Sequence, residues 1–395
     1  MKAFQYSGMP KVYFGEGALG TALPQELPRV GSRVLLAYGG GSIKKNGIYE
    51  AVMQLLRENG KTVTEFSGIM ANPTYAKVRE GAALAAKNRI DFILAVGGGS
   101  VIDCCKVVSA QVGMEEDIWT EENEKHRFPT QFIPLGAVTT VSGTGSEMNN
   151  GAVITNEETK QKNGMVGVRA EFVVLDPSYT LTVPMTQAVS GAFDTLSHCM
   201  ETYFGKPAET NVSDEMNEAV MRSVIAGIRA MIRDPQDAAV RSELMWASSM
   251  AENGVLKIGK QTDFQNHMIE HQLGAYTDCN HGQGLAVIHP AVYRHLVRDN
   301  TAKFVRFAKE VWHLSADGRT EEELALAGIR ALADFIAEIG LPTTLTELKA
   351  NLRPGSPDPT DRALLRSVAD STVLTDGCAR RLTADEIFEI LTECI

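Results

Sequence analysis

The segment "FILAVGGGSVIDCCK", residues 92–106, decides the fold. It places a short apolar run before three glycines and a helical pattern after them. The segment "RVLLAYGGGS", residues 33–42, repeats the same order. A strand that ends in a glycine turn and continues into a helix is typical of βαβ units. This part of the chain therefore predicts a parallel sheet with helices on both faces.

The alternation of strands and helices continues to about residue 180. Further strand-like runs are "TVTEF", "QFIPLGAVTT" and "FVVLDP", and they are separated by helical stretches such as "AKVREGAALAAKNRI". After Pro184 the strand-like runs stop, and capped helical segments follow to the C-terminus. We therefore predict a Rossmann-like α/β domain at residues 1–182 and an all-helical domain at residues 183–395.

Composition narrows the possible partners. The 395 residues carry a formal net charge of −11, which argues against nucleic acid or an anionic membrane as the main partner. No apolar run reaches the ~18 residues that span a bilayer, and the N-terminal segment lacks the apolar stretch of a signal peptide. We expect a cytoplasmic protein whose six cysteines are reduced thiols.

The glycine-rich loops predict a nucleotide site. Both "GGGS" sequences follow a strand and precede a helix, whose N-terminus offers free N–H groups to a phosphate. A third loop, "TTVSGTGSE" (139–147), follows another predicted strand. Neither glycine loop matches the dinucleotide fingerprint or the P-loop pattern. Ligands of such sheets bind outside the carboxyl ends of the strands, so we expect these loops to share one edge.

The first loop also bears on the choice of cofactor. Enzymes that select NAD commonly place a carboxylate on the ribose 2′-hydroxyl. After the strand that ends at Tyr38, the next acidic residue is Glu50, whereas Lys44 and Lys45 come earlier. Small residues and nearby cations tolerate a 2′-phosphate, so the sequence favours NADP(H) over NAD(H). The alternative is that both lysines are simply solvated.

Histidines are concentrated in the helical half. The segment "HMIEHQLGAYTDCNH" contains His267 and His271, four residues apart, and ends at His281. Asp194 and His198 form another pair with the same spacing, which places both side chains on one face of a helix. Carboxylate and imidazole groups together are ordinary ligands of iron or zinc. The sequence therefore predicts a divalent metal site.

A different chemistry fits part of the same stretch. The letters "HMIEH" match the H-x-x-E-H pattern of a class of zinc metallopeptidases. In that interpretation His267 and His271 bind zinc and Glu270 is the general base. It leaves the glycine loops and the pair of Asp194 and His198 without a role, so we keep it as a minor alternative.

Taken together, these motifs resemble the iron-containing (group III) alcohol dehydrogenases, which have the dehydroquinate synthase-like fold. The resemblance is strongest to the branch of butanol dehydrogenases and NADPH-dependent aldehyde reductases. It covers nearly the whole chain and rests on "YGGGSIKKNGIYE", "AVGGGSVIDCCK", "TTVSGTGSEMNNGAVIT", "FDTLSHCMETYF" and "HMIEHQLGAYTDCNHGQGLAVIHP". One position departs from that branch, because Phe264 stands where its members often have tryptophan, which bears on the substrate pocket rather than on the metal.

The resemblance implies roles for individual residues. The metal, Fe²⁺ with Zn²⁺ as the alternative, would be held by Asp194, His198, His267 and His281. His271 would be a catalytic proton relay rather than a ligand. The residues implied in cofactor binding are Gly40, Gly41, Ser42, Asn72, Gly98, Gly99, Ser100, Asp103, Thr139, Thr140, Ser142 and Lys162.

The implied reaction is the interconversion of small-to-medium aldehydes and primary alcohols by hydride transfer, with the metal as Lewis acid. The family also implies a homodimer or a larger homo-oligomer. Three alternatives stay open at this point. They are a metal- and NAD-dependent synthase or lyase on the same fold, a nucleotide-binding scaffold without activity, and the metallopeptidase.

Overall fold

The computed structural model describes Phe4, Tyr6 and residues 8–395, which divide into two compact units. The first, called here the α/β unit, contains residues 8–184 and Gln236–Asn253. The second, the helical unit, contains Met185–Pro235 and Gly254–Ile395. The predicted fold class, an α/β half followed by a helical half, is confirmed.

The α/β unit is built on a six-stranded parallel sheet with the strand order β1-β8-β5-β4-β2-β3. Its strands are β1 (Lys11–Phe14), β2 (Arg33–Tyr38), β3 (Thr62–Phe66), β4 (Phe92–Gly97), β5 (Leu135–Thr139) and β8 (Phe172–Leu175). Its helices are α1 (Ala18–Glu26), α2 (Ser42–Lys45), α3 (Ile48–Glu58), α4 (Tyr75–Lys87), α5 (Gly99–Val112) and α8 (Ala238–Glu252).

Both faces of this sheet are buried, as the continuous apolar runs of the sequence predict. Alternate residues of β4 belong to two separate apolar cores, because successive side chains of a strand point to opposite faces. Ile93 and Ala95 join the core that contains α4 and α5, whereas Phe92 and Leu94 join the core that contains α1 and α3. The helices therefore cover the sheet on both sides.

The same unit contains an antiparallel hairpin that is not evident from the sequence, formed by β6 (Gly151–Asn156) and β7 (Gln161–Val166). Its second strand, "QKNGMV", is mostly polar and lacks the alternation that indicates a strand. The hairpin packs against α5, where the amide of Val153 donates to the Asp103 carboxylate at 2.9 Å. Tertiary contacts rather than local pattern thus specify this element.

Helix α8 lies within residues 183–395, which were predicted as the helical domain, but in the structure it belongs to the α/β unit. It belongs there because its polar side chains bond to the loop after β5. Ser248 accepts from the amide of Gly143 at 3.0 Å, and Ser249 donates to Glu147 at 2.8 Å. Such long-range contacts cannot be inferred from the helical periodicity of the sequence. The boundary at 182/183 itself stays a prediction.

The helical unit consists of α6 (Met185–Phe204), α7 (Val212–Arg233), α9 (Gln265–Thr277), α10 (His281–Leu296), α11 (Thr301–Glu310), α12 (Glu321–Glu338), α13 (Leu345–Ala350), α14 (Arg362–Ser371) and α15 (Ala384–Glu393). Capping boxes begin α7, α12 and α15, where a side chain at the cap and one three residues later satisfy each other's backbone amides. In the described part of the chain, we find no helix both long and apolar enough to cross a bilayer.

Candidate active site

Three helices of the helical unit carry the predicted metal ligands. Asp194 and His198 lie one turn apart on α6, and His267 lies in the first turn of α9. His281 is the first residue of α10, which is capped by the Asn280 side chain as it accepts from the amide of Gln283 at 3.1 Å. Segments far apart in sequence thus meet at one place.

One carboxylate oxygen lies at the centre of this group. Asp194 Oδ1 is 3.4 Å from His267 Nε2, 3.5 Å from His281 Nε2 and 3.6 Å from His198 Nδ1. These separations are long for hydrogen bonds. They match the ligand-to-ligand edge of a tetrahedron around an ion with bonds of about 2.1 Å, which is roughly 3.4 Å.

The four predicted ligands are not equally close to one another. Ligand atoms of Asp194, His267 and His281 all lie within 4.8 Å of each other, and His198 is outside that tight group. The His198 ring stacks on the His267 ring with centroids 4.5 Å apart. The structure therefore brings all four residues together but places three of them in the arrangement typical of a metal site.

Two buried glutamates stand behind the histidines. His267 Nδ1 contacts Glu201, which also accepts from the amide of Asn266 at 2.6 Å, and His281 Nδ1 contacts Glu270. A carboxylate only accepts, so each imidazole carries its proton on Nδ1. Nε2 of each ring faces Asp194 and, once it has lost its proton, is the nitrogen that would bind a metal in a carboxylate–histidine–metal arrangement.

The role of Glu201 is not among the predictions, and Glu270 has a predicted role only in the minor metallopeptidase alternative. For Glu201 a signal exists, because it lies three residues after His198 and seven after Asp194, on the same stripe of α6. Nothing in that spacing indicates that the stripe faces α9. For Glu270, the H-x-x-E-H letters indicated a general base, whereas its carboxylate contacts His281.

The charges of this group favour a bound cation. Asp194, Glu201 and Glu270 are each at most 3% exposed. Burial opposes ionisation of Asp194, yet His198 and His281 outweigh it and hold its pKa well below the ordinary value. Burial likewise opposes the charged form of His267, but Glu201 and Asp194 raise its pKa to about 10. Protonated imidazoles balance these buried carboxylates, and a bound divalent cation would take the place of their protons.

His271 and Phe264 adjoin the same cluster. The His271 ring is buried, with its centroid 5.9 Å from that of His267 and 5.5 Å from that of His281. Phe264 stacks almost parallel to His267, with centroids 4.3 Å apart. Phe264 therefore covers one face of a predicted ligand, and His271 lies beside two predicted ligands.

The glycine loops share one edge of the sheet in the α/β unit. They follow β2, β4 and β5, which are neighbours, with Tyr38 in register with Val96 and Gly97 with Thr139. A Cβ atom at Gly40 or Gly41 would meet no atom within 4 Å, so there is open space next to the first loop. At Gly99, a Cβ would lie 2.2 Å from Thr144 Oγ1, so this glycine is required by packing.

Several predicted cofactor residues are held within the α/β unit. Asp103 accepts from the Ser146 hydroxyl as well as from Val153, so its carboxylate joins α5 to the loop after β5 and to the hairpin. Thr139 and Thr140 are buried, and Ser142 donates to the carbonyl of Leu244 at 3.4 Å. Ser100 lies in the first turn of α5, after Gly98 at its N-cap.

Three predicted cofactor residues remain: Ser42, which is the first residue of α2, Lys162 on the hairpin and Asn72 before α4. Lys162 is buried on β7 and pairs with Thr155 of β6. Asn72 has a positive φ of 50° and precedes α4. The roles of all these residues toward a cofactor stay predictions.

An acidic residue near the first loop was missed because it is remote in sequence. Lys44 Nζ lies 3.4 Å from Glu65, on β3, and packs over the rings of Tyr38 and Tyr49 at 5.0 and 4.4 Å. Hydrogen bonds from these two tyrosines lower the pKa of Glu65. Lys44 is therefore not simply solvated, and part of its charge is balanced.

Comparison with known proteins identifies the family. Residues 10–177 match the family described as iron-containing alcohol dehydrogenase, and residues 188–395 match the C-terminal part of the Fe-containing alcohol dehydrogenase family. The chain belongs to the iron-containing alcohol dehydrogenases. It is therefore an oxidoreductase that interconverts alcohols and aldehydes.

Individual relatives agree with this assignment. The NADH-dependent butanol dehydrogenase A of Clostridium acetobutylicum is 37% identical over 99% of both chains. An NADPH-dependent aldehyde reductase of Escherichia coli is 34% identical over 88% of this chain and 89% of its own. The crystal structure of an NADH-dependent butanol dehydrogenase A from Thermotoga maritima superposes with a TM-score of 0.92 at 33% identity, covering 100% and 99% of the two chains. The predicted family and activity are confirmed, and the peptidase alternative is not supported.

Proposed function

We propose that the chain reduces small-to-medium aldehydes to primary alcohols with a nicotinamide cofactor, and catalyses the reverse oxidation, at a divalent metal site in the helical unit. The observation that carries the proposal is the position of Asp194 Oδ1, with histidine nitrogens 3.4–3.6 Å away on three helices. The named relatives act on butanol or on aldehydes, which supports the same substrate class for this chain.

Asp194, His198, His267 and His281 would hold the metal. One carboxylate and three imidazoles suit both Fe²⁺ and Zn²⁺, and the family favours iron. When bound, the metal supplies Lewis-acid polarisation of the substrate carbonyl and the cofactor supplies the hydride. Glu201 and Glu270 fix the orientation of His267 and His281.

His271 would deliver the proton that the product alcohol requires. Its ring lies beside those of His267 and His281, and its nitrogen groups with ligand atoms of Glu270 and His281 rather than with Asp194. An imidazole has an unperturbed pKa near 6.5, so it can donate and regain a proton near neutral pH. In the oxidation direction the His271 imidazole would accept the proton that the alcohol loses.

The glycine loops after β2, β4 and β5 would bind the cofactor. Their shared edge at the carboxyl ends of parallel strands supports this assignment. We infer a preference for NADP(H) over NAD(H), because β2 ends without a carboxylate and Lys44 and Lys45 follow it. Glu65 partly neutralises Lys44, so the preference is expected to be modest. A cytoplasmic location and assembly into a homo-oligomer stay predictions.

The test is the initial rate of butanal reduction by metal-depleted protein after addition of Fe²⁺ or Zn²⁺, first with NADPH and then with NADH. The expected result is metal-dependent consumption of NADPH, faster than that of NADH. Faster turnover of NADH would retain the reaction and overturn the cofactor preference. Failure with both cofactors and both metals would overturn the proposal.

A further inference from the structure

The inference concerns His281, which is the most exposed of the predicted ligands, with a side-chain exposure of 24% against 9% or less for Asp194, His198 and His267. It is also the first residue of its helix, so its backbone is held by fewer intrahelical bonds than that of a residue in mid-helix. A ligand in this position needs an external support to keep its nitrogen aimed at the site.

Glu270 provides that support from α9. Its side chain is fully buried, and one carboxylate oxygen contacts His281 Nδ1. The other oxygen accepts from the Cys279 thiol at 3.7 Å. Both oxygens are thus engaged by residues at the start of α10 or just before it, which fixes the carboxylate as well as the ring.

The sequence of α10 makes room for this glutamate. A Cβ atom at Gly284 would lie 2.8 Å from Glu270 Cγ and 3.1 Å from one of its oxygens. Any other residue at Gly284 would displace the Glu270 side chain from the position in which it contacts His281 and Cys279. Gly284, in the first turn of α10, therefore leaves the space that Glu270 needs beside His281.

We propose that Glu270 is a positioning residue that holds His281 with Nε2 toward the metal and so sets the affinity of the site for a divalent ion. The inference rests on the proposed metal site. Through its negative charge the carboxylate makes the imidazole a stronger donor, and through its fixed contacts it selects one ring orientation. This role also accounts for the H-x-x-E-H letters, since the glutamate acts through a ligand rather than as a base.

Glu201 does not duplicate this role. It contacts His267 and in addition accepts from the amide of Asn266, so it also holds the N-terminal turn of α9. Loss of Glu201 would disturb the backbone of a helix, whereas loss of the Glu270 charge would act on His281. Glu270 is therefore the cleaner position for a test.

The test is the affinity of metal-free protein for Zn²⁺, measured by competition with a chelating dye, together with the visible absorption of the Co²⁺-loaded protein. We expect Glu270→Gln, which keeps the shape and removes the charge, to bind Zn²⁺ about 10- to 100-fold more weakly and to change the Co²⁺ spectrum. Glu26→Gln removes a buried carboxylate of the α/β unit and should leave both readouts unchanged.

Gly284→Ala provides a second route if Glu270→Gln does not fold, because it keeps the carboxylate but displaces it, and it too should weaken Zn²⁺ binding. Glu270→Asp, which retains the charge, should recover part of the lost affinity. Wild-type affinity and an unchanged Co²⁺ spectrum in both Glu270→Gln and Gly284→Ala would overturn the inference while leaving the metal site in place. An Asp194→Ala variant that binds as tightly as wild type would overturn the site and the inference together.

Discussion

The two histidines of α9, His267 and His271, are expected to differ in their contributions to metal binding and to catalysis. His267 lies in the tight group around Asp194, whereas His271 adjoins the predicted ligands without belonging to that group. His267→Ala should lose metal and activity together. His271→Ala should keep its metal and lose about 10²- to 10⁴-fold in rate, which is the usual share of a general acid–base group. Metal analysis beside steady-state rates separates the two outcomes, and an empty site in His271→Ala would contradict the assignment.

A buried lysine of the helical unit predicts a pH dependence of stability. Lys303 and Lys260 both pair with Asp214, at 2.8 and 2.6 Å, and all three side chains are at most 2% exposed. Burial and the neighbouring charge of Lys260 lower the pKa of Lys303 to about 8. The unfolded chain, with a lysine pKa of about 10.4, therefore binds more protons between these values, so stability rises with pH there.

The measurement is urea unfolding at several pH values for the wild type and for Lys303→Met. Between pH 7.5 and 9.5 the wild type should gain about 2 kcal/mol relative to the variant, which lacks the titrating group. Lys260 remains in the variant to pair with Asp214, so the buried carboxylate keeps a partner. If stability changed with pH in the same way in both proteins, Lys303 would not be the source of the pH dependence.

At the scale of elements, the first turn of α10 depends on close contact with α6. A Cβ atom at Gly282 would lie 2.2 Å from the backbone carbonyl oxygen of Ser190. Gly282→Ala should therefore displace the turn that carries His281 and weaken metal binding at least tenfold, as ligand geometry is lost.

Gly20→Ala is the matched control for that substitution. Gly20 is also helical, but a Cβ there would meet no atom within 4 Å. The change should leave metal affinity unaltered and raise stability by as much as about 1 kcal/mol, since alanine favours a helix. Equal metal affinities in the two glycine variants would mean that the contact between α6 and α10 does not position His281.

The elements differ in how far the sequence predicts them. Strands β2, β4 and β5 are buried on both faces and appear as continuous apolar runs, so their existence and the glycine-rich loops after them could be inferred. The hairpin of β6 and β7 could not, because β7 is polar and is stabilised by packing on α5. Helix α8 was predicted as a helix, but its attachment to the α/β unit depends on distant hydrogen bonds.

At the scale of the whole molecule, some residues of the site can be predicted from the sequence and others cannot. Asp194 and His198 form a pair that spacing alone brings to one face of a helix, and His267 and His281 complete a recognisable set. The carboxylates behind the ligands, and Glu65 beside Lys44, are set by contacts between elements that are far apart in sequence. Periodicity shows which residues share one face of a single helix or strand. It does not show which residues of other elements will contact that face, and the positions of Glu201, Glu270 and Glu65 depend on such contacts.

The metal is expected to stabilise the folded molecule against heat. A ligand that binds only the folded state adds RT ln(1 + [L]/Kd), or about 2.7 kcal/mol at a free concentration of 100 times Kd. All four predicted ligands lie in the helical unit, so the gain should appear as a shift of roughly 5–10 °C in the transition in which that unit unfolds, whether or not the α/β unit unfolds with it. Calorimetry of metal-free and Zn²⁺-loaded protein measures it. Asp194→Ala should show no shift, whereas an equal shift in that variant would place the stabilising metal elsewhere.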